Sequence, residues 1–249
     1  MSSPVHHSNI IYGRNPVLEA IEGSKRLERI FLRDNLTGEF EKLIRNHCKD
    51  HGIPLKKVPP IKLDKLCRNR AHQGVVAIGS IIDYVSIDMV VPHIFEAGEI
   101  PLLVLLDNVT DVRNIGAVAR STEALGGHAL ILSGKNSGMV NEDTLKASAG
   151  AITKLIVCRE KNTVDTILLL QSFGVKVIGT SLSATTYLAK LTLTEPLCIV
   201  LGSEGDGLHR SVSDSCDELA LIPQSGSTDS LNVSVASGIA LYEAIRQRS

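Results

Sequence analysis

The chain has 249 residues, of which 43% are hydrophobic and 3% aromatic, so it can bury one large or two small cores built from aliphatic side chains. The net charge of −1 is unevenly distributed. Residues 1–90 are basic, with 14 Lys and Arg against 10 Asp and Glu, which suits a phosphate-bearing partner, whereas residues 91–249 are acidic, with 12 Lys and Arg against 17 Asp and Glu. The chain has five cysteines without a C-x-x-C pair and shows no signal-peptide pattern, which argues against a secreted protein. It has no apolar run of about 18 residues, which argues against a membrane protein, so we expect a cytoplasmic protein.

Residues 1–83 predict a small α/β domain. After a loose tail at residues 1–8, short apolar strands alternate with helices that end near Gly23 and Gly52. Residues 84–100, which include Pro92 and Gly98, are expected to connect this domain to a second one. The elements expected in the first domain are a helix at 14–21, a strand at 29–33, a helix at 39–51, a strand at 55–58, a helix at 63–70 and a strand at 75–82.

One predicted helix of this domain carries three side chains of metal-binding type. His47 and His51 are four residues apart and therefore share a face, and Cys48 lies beside them. No further ligand cluster with the spacing of a zinc site stands nearby in the sequence. We therefore expect helix surface and core residues there, and no bound metal.

The second domain, residues 101–249, shows continuous apolar runs separated by helical segments. Runs of this length predict a mostly parallel sheet that is buried on both faces, which is a doubly wound α/β architecture. The strand candidates are residues 102–106, 129–132, 154–157, 175–180, 197–201 and 219–222.

The first motif of this domain runs from Asn114 to Arg120, directly after its first strand. Asn114 is expected to cap a helix that Gly126 and Gly127 end. Arg120 lies off the buried face of this helix, and the missing side chain at Gly116 would leave room for a substrate beside the guanidinium. A single helical arginine is, however, usually a solvated surface residue. The buried face is predicted to consist of Ile115, Val118, Thr122 and Leu125.

The second motif is the glycine-rich stretch from Leu201 to Leu208. Its glycines let the backbone approach a ligand closely. The order G-x-x-G-x-G differs from the dinucleotide fingerprint, and no Gly-Lys-Ser/Thr follows, as a phosphate loop requires. The carboxylates of Glu204 and Asp206 argue against a polyanion and tolerate a cationic ligand. A glycine-rich turn without a ligand is the alternative.

The third motif runs from Ile222 to Ala236. It places turn formers, hydroxyl side chains and an Asn between an apolar strand and a helix that follows from Val235. Ser230 and Asn232 stand where side-chain oxygens usually cap the free N–H groups of a helix. On its own, the motif is better explained as a capped helix.

Together, the three motifs resemble the SpoU branch of the SPOUT methyltransferase superfamily. The resemblance covers about residues 101–249. It implies a ribosomal-protein-like RNA-binding domain at the N-terminus, followed by a parallel-sheet domain with a C-terminal trefoil knot. It also implies a homodimer formed through the knotted domains, with the last helix, Val235 to Ile245, as the candidate contact surface.

The resemblance further implies transfer of a methyl group from S-adenosylmethionine to a ribose 2′-hydroxyl of RNA. Gln224 stands where relatives commonly carry Met, which affects the shape of the cofactor pocket. No metal is implied. The positions matching the family's catalytic residues are Asn114, Arg120, Glu204, Ser230 and Asn232, and those matching its cofactor-binding residues are Thr180, Gly202, Glu204, Gly205, Ile222, Gln224 and Leu231.

Within the family, Tyr12 to Leu18 and His72 to Ala77 resemble bacterial enzymes that methylate a guanosine of 23S ribosomal RNA. Ribosomal RNA is therefore the expected partner, with transfer RNA as the alternative substrate. A non-catalytic ribosome-assembly factor with the same fold is a second alternative, which the intact polar set of the three motifs disfavours. A nucleotide-binding oxidoreductase is disfavoured because no G-x-G-x-x-G follows an early strand.

Overall fold

The chain forms two separately packed units in a computed structural model, residues Met1–Asp83 and Tyr84–Ser249. The structure describes residues 10–23, 27–51, 53–134, 137–203, 205, 207–227 and 230–249. The tail predicted for residues 1–8 and the helix end predicted at Gly52 lie outside these ranges. Among the described residues, no helix combines the length and the apolar character that crossing a membrane requires.

The N-terminal unit is a four-stranded sheet with helices on both faces. The strand order is β1-β4-β2-β3, with β4 antiparallel to β1 and β2, and β3 parallel to β2. Alternate residues of β2 serve two cores, because Ile30 and Leu32 pack against α1 and α2 whereas Phe31 packs against α3. The elements are β1 (Ile10–Tyr12), α1 (Arg14–Glu22), β2 (Leu27–Arg33), α2 (Glu39–Asp50), β3 (Leu55–Val58), α3 (Pro60–Cys67) and β4 (Val75–Gly79).

The third helix of this unit begins and ends three residues earlier than predicted. Pro60 is its first residue, a position where the missing N–H of proline is tolerated. Arg68 and Asn69 then adopt positive φ angles of 53° and 58°, a left-handed conformation that ends the helix. Strand β1 has only three residues and was not predicted.

The C-terminal unit is built on a parallel sheet, as predicted from the apolar runs. In the described part of the chain the strand order is β11-β9-β10-β6-β7-β8-β5. The strands are β5 (Tyr84–Val85), β6 (Leu102–Asp107), β7 (Ala129–Ser133), β8 (Ile156–Glu160), β9 (Lys176–Thr180), β10 (Leu197–Leu201) and β11 (Glu218–Ala220). The helices are α4 (Ile87–Glu96), α5 (Val112–Ala124), α6 (Glu142–Ala147), α7 (Thr163–Ser172), α8 (Arg210–Ser215) and α9 (Val233–Arg248).

Residues 84–100, expected to be a connection, instead belong largely to this unit. Strand β5 pairs in parallel with β8, and α4 packs into the core through Val90, Val91 and Ile94. Together with Ile87 these residues recur at helical spacing, and Pro92 lies within the helix without ending it. The expectation was wrong because it weighted Pro92 and Gly98 above this periodicity.

The order of the strands creates a crevice beside β6. From β6 the chain proceeds outward through β7 and β8, and it then returns to form β9, β10 and β11 on the other side of β6. In open parallel sheets, ligands bind outside the carboxyl ends of the strands where the order reverses. The three motifs follow β6, β10 and β11, so the topology brings them to this edge.

Candidate active site

A cavity of about 590 Å³ lies at the carboxyl ends of β9, β10 and β11. Its walls come from the residues after β9, from the glycine-rich loop after β10 and from the segment between β11 and α9. Glu204, which also belongs to the predicted set, lies outside the described residues. The other predicted cofactor-binding residues line the cavity, namely Thr180, Gly202, Gly205, Ile222, Gln224 and Leu231.

The glycine-rich loop is folded tightly against itself. A Cβ atom at Gly202 would lie 2.1 Å from the carbonyl carbon of Gly207, so no larger residue fits there. Gly205 and Gly207 adopt positive φ angles of 92° and 65°, which side chains disfavour. The N–H of Gly207 donates to the carbonyl of Ser203 at 3.0 Å. The glycines therefore shape the wall of the cavity at the end of β10.

The interior of the cavity combines apolar surface with hydroxyl groups. Ile222 is buried and Leu231 is half-buried, whereas Ser230 is exposed at the rim. The hydroxyl of Thr180 donates to the carbonyl of Val200 at 3.3 Å, which ties the ends of β9 and β10 together. Such a surface suits a ligand with a flat apolar ring and polar substituents.

Charged side chains reach the described walls of this cavity only at its outer part. Arg210 and Asp214 lie 3.6 Å apart as an ion pair of two strongly exposed side chains. This pair is neutral overall and remains in water. The described walls therefore carry no buried charge that would repel a ligand of either sign.

Asn114 does not cap its helix, contrary to the prediction. Helix α5 begins at Val112, three residues earlier than predicted, and the carboxylate of Asp111 caps it by accepting the N–H of Arg113 at 2.8 Å. Asn114 is thus a buried residue within the first helical turn. Its Oδ1 atom accepts a hydrogen bond from Nδ2 of Asn232 at 3.1 Å. The first and third motifs therefore meet through these two amides.

Asn232 caps helix α9, as predicted. Its Oδ1 atom accepts the backbone N–H of Ser234 at 2.9 Å and the hydroxyl of Ser234 at 2.5 Å. Because the oxygen of the amide serves the helix, the nitrogen is directed towards Asn114. Ser230 and Leu231, two and one residues before Asn232, line the cavity. The amide pair is therefore held beside the cavity by the start of α9.

Gly116 does not leave room for a substrate. A Cβ atom there would lie 2.6 Å from the carbonyl oxygen of Thr144 and 2.7 Å from Cβ of Ala147. The missing side chain instead allows α5 and α6 to approach each other closely. The expectation that Gly116 opens a space beside Arg120 was wrong, because α6 packs against Gly116 through Thr144 and Ala147.

Arg120 is exposed on α5 and makes no hydrogen bond or ion pair with any described residue. It is six residues from Asn114, which corresponds to about 9 Å along the helix axis and to a different face. Within one chain, the structure brings Asn114 and Asn232 together and leaves Arg120 on the adjoining surface.

A buried polar network beneath the first motif was missed. Asp107, at the carboxyl end of β6, is buried and accepts hydrogen bonds from Thr163 Oγ1 at 2.6 Å and from Asn108 Nδ2 at 2.8 Å. Thr163 Oγ1 also lies 3.0 Å from Ser133 Oγ. The network joins β6, β7 and α7 under the segment that leads to α5. An acid directly after an apolar strand was the available signal.

The thiols are unsuited to nucleophilic catalysis. Burial raises the pKa of Cys158 and of Cys216 to about 12, and that of Cys48 to about 11. Burial also raises the pKa of Cys67 and of Cys198. Since the thiolate is the reactive form, a covalent cysteine mechanism is disfavoured. Within the described ranges, no group of three His, Cys, Asp or Glu side chains could hold a metal ion.

Both units of the chain match known protein families. Residues 101–242 match the SpoU rRNA Methylase family, and residues 10–85 match the family described as RNA 2′-O ribose methyltransferase substrate binding. A Mycolicibacterium paratuberculosis protein named as an uncharacterized tRNA/rRNA methyltransferase is 37% identical over 96% of this chain and 77% of its own length. A Bacillus subtilis protein whose name assigns it to the TrmH family of tRNA/rRNA methyltransferases is 32% identical over 96% of both chains.

Solved structures with the same fold include an rRNA methyltransferase from Sinorhizobium meliloti with bound AdoMet. It is 26% identical, with a TM-score of 0.62 over 96% of this chain and 87% of that one. The A. aeolicus TrmH/SpoU tRNA modifying enzyme is 30% identical, with a TM-score of 0.54 over 64% of this chain and 82% of that one.

Proposed function

Because the chain belongs to the SpoU rRNA methylase family, we propose that this S-adenosylmethionine-dependent RNA methyltransferase modifies the ribose 2′-hydroxyl of a guanosine in 23S ribosomal RNA. The match of residues 10–85 to the substrate-binding family of RNA 2′-O ribose methyltransferases supports the ribose as the target. The resemblance of Tyr12–Leu18 and His72–Ala77 to large-subunit enzymes supports the guanosine. Transfer RNA is the competing substrate, because the names of relatives include both RNAs.

One observation carries this proposal: three segments that are distant in the sequence meet at one cavity with the Asn114–Asn232 pair beside it. S-adenosylmethionine would supply an electrophilic methyl carbon on a sulfonium. The apolar surface of Ile222 and Leu231 suits an adenine ring, and the absence of a side chain at Gly202 lets the loop that forms the adjoining wall fold tightly on itself. The described walls therefore fit this cofactor.

The polar residues would orient the ribose and stabilise the charge that develops on its oxygen. The amides of Asn114 and Asn232 are fixed relative to each other by their hydrogen bond. The N-terminus of α9 adds partial positive charge beside them, which favours an alkoxide. We assign Ser230 and Glu204 to the same set only by their match to the family motifs.

Arg120 would bind the phosphate next to the target ribose and stabilise the developing alkoxide. A guanidinium stays protonated under conditions in which proteins function, so it is poorly suited to remove a proton. Its planar fork, in contrast, matches a phosphate in a bidentate manner. The exposed position of Arg120 on α5 is consistent with binding a polymeric substrate.

A homodimer would complete the site through α9. Val235, Ile239 and Tyr242 are exposed by 49%, 39% and 60% and follow each other at helical spacing, so they form an apolar strip. Gly238 on α9 lies beside Ser121 of α5, the neighbour of Arg120. A second copy packed on this strip would therefore lie next to Arg120. The trefoil knot implied by the family remains part of this proposal.

Cofactor binding tests the cavity directly. The Gly202→Ala variant should lose binding of S-adenosylhomocysteine in calorimetry, because its Cβ atom would clash with the backbone of Gly207. The control is Gly226→Ala in the neighbouring segment, where no described atom lies within 4 Å of the added Cβ. Wild type and control should bind one cofactor per chain, and equal or tighter binding of a dinucleotide would count against the assignment.

Methyl transfer from labelled S-adenosylmethionine tests the choice of RNA. Protein-free 23S ribosomal RNA and a set of unmodified transfer RNAs, both transcribed in vitro, should be compared under single-turnover conditions. We expect labelling of the ribosomal RNA. Labelling of transfer RNA alone would replace the proposed substrate, and labelling of neither RNA by a protein that binds both would favour the non-catalytic assembly factor.

A further inference from the structure

The two N-terminal segments that resemble large-subunit enzymes meet in space. Tyr12 of β1 pairs with Val76 of β4 in an antiparallel register, and the segments Tyr12–Leu18 and His72–Ala77 are therefore neighbours. The backbone N–H of Arg14 donates to Oε1 of Gln73 at 2.9 Å, which links the start of α1 to the turn before β4. Neither the cofactor cavity nor the amide pair uses these segments.

A pocket of about 560 Å³ opens where the two segments meet. Its floor is fixed by hydrogen bonds: His72 Nδ1 accepts the N–H of Gly74 at 2.9 Å, and its Nε2 lies 3.1 Å from Asp64 Oδ1. The carbonyl of Gly74 accepts the N–H of Arg33 at 2.9 Å. The described lining consists of Arg14, Asn15, Arg33, His72, Gln73 and Gly74.

The lining is positively charged. It contains two guanidinium groups and, among its described residues, no carboxylate. The guanidinium of Arg14 is held 4.9 Å from the centroid of the Phe40 ring. The Nε atom of Arg33 is buried and has no hydrogen-bond partner among the described residues. A buried donor of a charged group without an acceptor is costly, and an anionic group in the pocket that Arg33 lines would stabilise the charge of this guanidinium.

We propose that this pocket binds a phosphate group of the RNA backbone. The identification of this RNA as the methylation substrate rests on the proposed function. Arginine forks match phosphate oxygens, and the neutral amides of Asn15 and Gln73 can bond to neighbouring sugar hydroxyls. Contacts to phosphates position a nucleic acid without reading its sequence. The pocket would thus fix the register of the RNA on the N-terminal unit, while other contacts select the nucleotide.

The test measures binding of cofactor-free protein to protein-free 23S ribosomal RNA at several salt concentrations. The double variant Arg14→Gln/Arg33→Gln should bind on the order of tenfold more weakly, and the slope of log K against log salt should fall by about 1. The control is Arg45→Gln, which removes an exposed arginine of α2 outside the pocket. The control should differ little from wild type in affinity.

A second variant separates binding from folding. Asn15 lies in the first turn of α1, where a negative charge stabilises a helix, so Asn15→Asp should fold at least as well as wild type. Its carboxylate would nevertheless repel a phosphate in the pocket, and RNA affinity should fall. If the double variant and Asn15→Asp both bind RNA as the Arg45→Gln control does, the proposal is wrong.

The remaining outcomes identify the source of the phosphate. If inorganic phosphate binds in a manner that depends on Arg14 and Arg33 while RNA affinity is unaffected by their substitution, the pocket serves a small ligand and the proposal is overturned. If wild type transfers no methyl group but its RNA binding depends on both arginines, the proposed reaction fails and the pocket stands. If methyl transfer is normal and RNA binding is independent of both arginines, only the pocket proposal fails.

Discussion

The amide of Asn232 bonds to two segments at once. Its oxygen caps α9 and its nitrogen donates to Asn114, 118 residues earlier in the chain. These two functions can be separated by substitution, because an Asp at this position keeps the oxygen acceptor and loses the nitrogen donor. The residue therefore offers a way to distinguish a structural cap from a group that positions the ribose.

We predict that Asn232→Asp keeps the cap of α9, since Asp and Asn are comparable N-caps, but loses activity. Loss of the bond to Asn114 and a new negative charge beside the reacting oxygen should lower the single-turnover rate at least about tenfold, the equivalent of about 1.4 kcal/mol. Asn232→Ala should lose activity and also about 1 kcal/mol of stability. Unfolding by urea and methylation kinetics measure both. If the Asp variant methylates RNA at the wild-type rate, Asn232 acts only as a helix cap.

We predict that Arg120→Lys lowers the methylation rate by about 10²–10³, or roughly 2.7–4 kcal/mol, as for a lost donor to an oxyanion. Lysine keeps the positive charge but lacks the planar fork. Cofactor affinity should hardly change, because Arg120 does not line the cofactor cavity. The control is Arg113→Lys, which changes an exposed arginine on the same helix. Single-turnover rates of both variants decide the matter.

The pH dependence of the same rates separates two roles for Arg120. If Arg120 were the base, the rate of wild type would rise with pH up to a titration that shifts or disappears in the Lys variant. If Arg120 is a permanently charged clamp, the two pH profiles should have the same shape at different heights. A Lys variant with the rate of wild type would contradict both roles.

At the level of elements, the packing of α5 against α6 determines where the first motif lies. A Cβ atom at Gly116 would come within 2.6 Å of backbone in α6. We predict that Gly116→Ala destabilises the protein by roughly 1–3 kcal/mol, because the two helices must separate. Gly238→Ala on α9 is the matched control, since the nearest atom would lie 3.8 Å from the added Cβ. The control should be neutral or stabilise by up to about 1 kcal/mol.

Urea unfolding of both glycine variants measures this difference. Equal stabilities would show that α5 and α6 can adjust without cost. Reduced activity of Gly116→Ala at unchanged stability would show that the glycine faces substrate after all.

The elements predicted correctly are those with strong local signals. Strands β6, β7 and β10 are continuous apolar runs, and Asn232 stands directly before a periodic helix. Strands β1 and β5 have three and two residues, and they exist only because β4 and β8 pair with them. Such pairing depends on contacts between distant segments, so it leaves little trace in the local sequence.

The candidate site was predictable in composition and less so in arrangement. Residues of the second and third motifs lie around one cavity because the topology brings the ends of parallel strands together, and Asn114 of the first motif is bonded to Asn232 beside it. The cap at Asp111, the close contact at Gly116 and the network around Asp107 depend on where neighbouring elements pack. A helix start three residues earlier than expected was enough to convert Asn114 from a cap into a buried hydrogen-bond acceptor.

At the level of the whole molecule, we predict that the N-terminal unit binds the RNA and that the C-terminal unit binds the cofactor. A fragment of residues 84–249 should bind S-adenosylmethionine like the full chain but lose most of its affinity for ribosomal RNA. The cut belongs before β5, because β5 and α4 pack within the C-terminal unit. Thermal unfolding of the fragment is the control. Efficient methylation of the same nucleotide by the fragment would show that residues 1–83 do not select the RNA.

The central claim is that the chain methylates a ribose oxygen of a guanosine in 23S ribosomal RNA. The most direct measurement is nucleoside mass spectrometry of 23S ribosomal RNA that was treated with the protein and S-adenosylmethionine, combined with mapping of the phosphodiester bond that becomes resistant to alkali. We predict a single 2′-O-methylguanosine, which is absent when Arg120→Lys replaces wild type at short reaction times. A methyl group on a base, or modification of transfer RNA only, would contradict the account.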